Sequence, residues 1–82
     1  MINHEIIILQ QLATAPQGLL TPEPSLHAFV NMALAVPITQ GELRSNLASL
    51  ESLRHVTGLT HEGVCKWKIT ANGRARLQEV AG

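Results

Sequence analysis

Side chains able to carry out chemistry are few in this sequence, and their types narrow what they can do. There is no aspartate and no tyrosine, which removes the Ser-His-Asp arrangement and paired aspartates outright. Cys65 alternates with Trp67 and Ile69 on what reads as an inward face, where a free thiol is usually a small core group. No nucleophile, base and orienting group can be assembled, so no catalytic residue is expected. His4, His27, His55 and His61 are scattered and accompany a single cysteine, without the spacing of a zinc site. His55 and His61 are the one pair that a hairpin might be expected to bring together. The glycines stand singly, and no phosphate-cradling loop occurs. Neither a metal nor a cofactor is expected.

What remains is a set suited to hydrogen-bonding a polyanion. Gln40, Arg44, Ser45 and Ser49 recur at helical spacing, and Lys66 and Lys68 alternate along an extended segment. Glutamine can pair with adenine, arginine with guanine, and serine with base or phosphate. Lysines meet phosphates, which fix register without reading sequence. Small side chains at Ser45, Ala48 and Ser49 would let a helix approach a groove floor closely. The same residues have plainer uses. A small, charge-balanced face also suits a solvated helix or a protein partner, and outward lysines discourage strand edges from pairing. Net charge is zero over 82 residues, yet residues 1–43 carry only Glu5, Glu23 and Glu42, a charge of −3. Residues 44–82 set six cations against Glu51, Glu62 and Glu79, a charge of +3. Such a split hints at an anionic partner for the second half.

The elements that must position these groups follow from periodicity. A first helix is expected from Asn3, as N-cap, to Thr14, with Ile2, Ile6, Leu9 and Ala13 on one stripe widened by Ile8 and Leu12. Ile7 falls on the far side. Pro16 and Gly18 end this helix. Thr21-Pro22-Glu23-Pro24-Ser25 reads as the approach to a second helix, through about Ala35. Leu26, Phe29, Val30, Ala33 and Leu34 form its expected core face, and Ala28, Met32 and Ala35 leave the opposite side nearly as apolar. After Val36-Pro37-Ile38, Thr39-Gln40-Gly41-Glu42 has the form of a capping box. It opens a third helix with Leu43, Leu47, Leu50 and Leu53 buried and an end near Arg54. The period then changes to two: residues 55–60 and 64–69 read as strands around a His61-Glu62-Gly63 loop. Thr70 caps a last short helix from Ala71 to about Val80.

Helix, helix, helix, hairpin is the order of a winged helix. Leu59, then Trp67-Lys68-Ile69-Thr70-Ala71-Asn72-Gly73-Arg74, then Leu77, resembles the pattern that closes the wing in PadR-like and MarR-like regulators. Thr39 to Leu53 looks like their recognition helix. The resemblance covers nearly the whole chain. It implies an α+β fold, a single winged-helix domain over 1–82 with a three-helix helix-turn-helix core, a two-stranded wing and a short C-terminal helix. It further implies double-stranded DNA as partner, with the third helix in the major groove and the wing on phosphate or minor groove. A transcriptional regulator or a phage- or plasmid-type accessory factor is then expected, the alternative being a winged helix that binds protein and not DNA. The surplus apolar surface of helices 1 and 2 points to a homodimer formed there or through the C-terminal helix. A lone thiol suits a reducing compartment, and no run approaches the about 20 apolar residues of a membrane span. A soluble cytoplasmic protein without membrane contact is expected.

Overall fold

A computed structural model describes residues 4–15 and 19–81. It is α+β, with helices α1 (His4–Ala13), α2 (Glu23–Ala33), α3 (Gln40–Ser52) and α4 (Ala71–Ala81) and strands β1 (Thr21–Pro22), β2 (Val56–His61) and β3 (Val64–Ile69). The strands form one antiparallel sheet in the order β1-β3-β2. Among the described residues, no helix is long and apolar enough to cross a membrane.

Local chemistry explains where these elements begin. Thr39 Oγ1 accepts from the Glu42 amide at 3.1 Å, and Glu42 Oε1 accepts from the Thr39 amide at 3.1 Å. The capping box thus satisfies two amide groups that the start of α3 would leave unpaired. Those bonds to Thr39 hold the Glu42 carboxyl below its ordinary value. Thr70 performs the same service for α4, its Oγ1 accepting from the Gly73 amide at 3.1 Å and donating to the Arg54 carbonyl at 2.6 Å. Ahead of α3, Ile38 is held by Asn31, whose Oδ1 accepts from its amide at 2.9 Å, and by His27 Nε2, 2.7 Å from its carbonyl oxygen.

The end of α3 is as well defined. The Arg54 amide donates to Glu51 and the His55 amide to Leu50, both at 2.9 Å, and Arg54 is left-handed at φ 62. This is a Schellman closure with arginine where glycine is usual. It stops the helix at Ser52, so the leucine stripe outruns the helix. Leu43, Leu47 and Leu50 are buried, whereas Leu53, expected in the core, is 56% exposed.

Ile8, Leu9 and Leu12 of α1, Leu26 and Val30 of α2, the three α3 leucines, and Val56, Trp67 and Ile69 of the sheet form one core, joined by Leu34 and Ile38. Several expectations are corrected there. Ile7 packs against this core instead of lying on a far side. Phe29 and Ala33, expected inside, face outward, and α2 stops at Ala33, with Leu34 extended. Thr21 and Pro22 do not begin a helix; they pair with Trp67 and Lys66 as a third strand. The hairpin loop has two residues, not three: His61 pairs with Val64, and Glu62 and Gly63 both take positive φ, 52 and 78, as a type I′ turn requires. Asn3 and Ile2, assigned to the first helix, and Pro16 and Gly18, assigned to its end, lie outside the described residues.

Two glycines behave oppositely. A Cβ on Gly73 would run into the His55 carbonyl oxygen and come within 2.6 Å of Ile69 Cγ1, whereas on Gly41 its nearest contact is 3.9 Å away. Backbone cannot yield as a flexible side chain can. Gly73→Ala is therefore expected to destabilise the fold by about 2 kcal/mol or more. Gly41→Ala, in an open first helical turn, should stabilise by up to about 1 kcal/mol. Urea denaturation of both variants against the parent checks this, and equal midpoints would contradict it.

Candidate nucleic-acid interface

The site is organised by a residue that the sequence offered only as a charge at a helix start. Glu23 is the first residue of α2 and 4% exposed. Its Oε2 accepts from Arg44 Nε at 2.9 Å and from Gln40 Nε2 at 3.2 Å, and its Oε1 lies 3.4 Å from Trp67 Nε1. Burial of a carboxylate raises its pKa, but here the Arg44 bond, then Gln40, the Arg44 charge and Trp67 outweigh burial and bring it below the ordinary 4.5. The positive end of α2 favours the same ionised form. Arg44 is correspondingly raised by the Glu23 bond and charge.

Each partner has a reason to be where it is. Gln40 and Arg44 are one turn apart on α3 and share a shoulder of the helix. Trp67 is opposite Gly58 across the β2–β3 ladder, and a Cβ there would come within 2.7 Å of its ring. The missing side chain lets the indole lie flat over β2 and point its N–H toward α2. A cavity of about 140 Å³ opens beside this cluster, lined by Glu23, Pro24, Gln40, Arg44 and the hairpin residues Gly63, Val64 and Cys65.

Of the six residues expected to meet nucleic acid, the fold thus brings Gln40 and Arg44 together with the hairpin turn. Arg44 keeps its side chain 66% exposed. Because Glu23 engages Nε, the two terminal amino groups lie outside that bond. Ser45 and Ser49 are exposed on α3 and, with Gly41, Ala48 and Ser52, make a small polar surface beside Arg44. Lys66 and Lys68 are placed differently. Strand alternation turns Trp67 and Ile69 toward the helices and the lysines toward the opposite sheet face, next to Leu59 and Thr57. Since β3 is the central strand, the lysines do not guard an edge.

His55 and His61 do not converge: they lie at opposite ends of β2, about 20 Å apart at strand rise. Cys65 is half-buried at the edge of the core. A larger cavity, of about 270 Å³ between α1, the end of α3 and α4, is walled by Ile6, Leu9, Leu50 and Leu53 and contains none of the six candidates. The signal that could have found Glu23 is arithmetic of polar groups. A buried indole N–H needs an acceptor, and a chain without aspartate has few to offer. Comparison with known proteins finds no family model, curated protein or solved structure that matches the chain.

Glu23 makes stability depend on pH in a defined sense. A carboxyl whose folded pKa is depressed stabilises above its unfolded value, near 4.5, and loses that contribution as pH falls through the folded value. Glu23→Gln removes the charge and keeps the shape. The parent should be more stable than this variant at neutral pH, and the difference should shrink below pH 4.5. Urea midpoints of both proteins across that range measure it; a difference that does not change with pH contradicts the assignment.

Proposed function

We propose that the chain is a cytoplasmic winged-helix protein that binds double-stranded DNA, acting as a small regulator or as a phage- or plasmid-type accessory factor. In this reading α3 is the recognition helix and the β2–β3 hairpin the wing. The observation that carries it is the outward surface of α3: small polar side chains around an arginine whose plane is fixed by a buried carboxylate. A guanidinium held through Nε offers its terminal amino groups as a fork, the geometry that suits the O6 and N7 edge of guanine. Ser45 and Ser49 supply short donors, and Gly41 and Ala48 leave room for close approach. Lys66 and Lys68 add positive potential that is independent of sequence. No catalytic role is assigned.

A second reading, a winged helix that binds protein and not DNA, is supported by one feature: the outer face of α2 is apolar and carries no charge.

Fluorescence anisotropy of random-sequence duplex DNA at about 50 and about 200 mM salt separates the two, since phosphate contacts release counterions and weaken steeply with salt. Binding is expected at the lower salt. Arg44→Ala should then lower affinity for selected sequences by about 1–3 kcal/mol and relax their preference. The Lys66→Ala, Lys68→Ala double variant should weaken all sequences alike and flatten the salt slope. No binding at tens of micromolar protein sinks the DNA reading in favour of the second.

A further inference from the structure

We propose that the outer face of α2 is the contact between two copies of this chain. The helix is inside out. Its polar side chains point inward or toward the next turn: Glu23 is buried, and His27 and Asn31 bond the backbone of Ile38. Its outward arc is Pro24, Ala28, Phe29, Met32 and Ala33, and Val36 extends it beyond the helix end. Phe29 is 47%, Met32 82% and Val36 75% exposed. Surface helices put such residues on the core side and charges outside.

Charge and area both select a second copy as occupant. A two-fold contact sets a patch against itself, so any charge in it meets its own kind. The exposed arc contains none. It also alternates large with small, so Phe29 and Met32 of one copy can settle over Ala28 and Ala33 of the other. Small residues at a crossing let two helices approach to about 8–10 Å. The arc amounts to on the order of 500 Å², at the upper end of apolar patches on monomers and about a tenth of the chain's 5232 Å² surface. Doubled across a two-fold axis, this is roughly 1,000 Å², just below the range of stable specific interfaces. Such a contact gives a reversible dimer with a dissociation constant in the micromolar range. Met32 lies at the centre of the arc, where the axis would pass. The inference does not rest on DNA binding.

Sedimentation velocity from about 1 to about 500 µM tests it without DNA. The parent should show a concentration-dependent monomer–dimer equilibrium. Met32→Glu and Met32→Lys should each be monomeric over that range with unchanged thermal melting, because the side chain is outside the core. An equimolar mixture of the two should dimerise, since opposite charges then meet near the axis. A parent that stays monomeric throughout overturns the proposal, as does a dimer that survives both substitutions or a mixture that remains monomeric.

Discussion

The fold turns on a carboxylate taken out of water. Glu23 receives donors from residues 17, 21 and 44 positions along the chain, so a single side chain ties the start of α2 to the start of α3 and to the middle strand of the sheet. Apolar contact is non-directional and tolerates rotation of one helix against another. A buried charge does not, because an unpaired one is costly. Leu26, Val30, Leu43 and Leu47 hold α2 against α3; Glu23 fixes how far each is turned. The contribution is to uniqueness more than to net stability, because desolvation offsets much of what the hydrogen bonds return. Gly58 belongs to the same device: without its missing side chain the Trp67 ring could not lie where its N–H faces Glu23.

That anchoring changes what the α3 surface can be used for. Arg44 has its charge balanced by Glu23, so it adds little long-range attraction for a polyanion, and its plane and position are set before any partner arrives. A group of this kind suits recognition by geometry better than accumulation of phosphate contacts. The remaining cations do not join it. Lys66 and Lys68 occupy the sheet face turned away from the helices, and Arg76 has Glu79 3.6 Å away on its own helix. The +3 charge of the second half is thus dispersed over several surfaces, and a count along the sequence overstates it as a single binding feature.

Elements whose cause is local were legible in the sequence. The capping box at Thr39 and Glu42, the Thr70 cap, the turn at Gly63 and the alternation through Cys65, Trp67 and Ile69 need only neighbours in the chain. Those whose cause is distant were not. Thr21 and Pro22 are a strand solely because Trp67 and Lys66 lie beside them, and two residues are too short to show a period. Leu53 continues the leucine stripe perfectly, yet the left-handed Arg54 ends the helix first, and arginine is not a residue that signals such an end. Gln40 and Arg44 were identified as neighbours on α3, but their shared partner lies in another helix.

The hardest segment to read was α2, for a physical reason. When a helix is apolar nearly all round, hydrophobic periodicity does not say which arc meets the core, because each arc satisfies the pattern. Phe29 and Ala33 are as reasonable inside as Leu26 and Val30. What decides is the minority of polar groups. Glu23, His27 and Asn31 occupy one side of the helical wheel and need partners that only the rest of the fold provides: Gln40, Arg44 and Trp67 for the carboxylate, the Ile38 backbone for the other two. Satisfying them turns that side inward and commits Phe29 and Met32 to the surface. Hydrophobic burial within one chain alone would favour the opposite rotation for Phe29. The apolar face is therefore a consequence of hydrogen bonds made on the other side of the helix, and its exposure is as fixed as the bonds themselves.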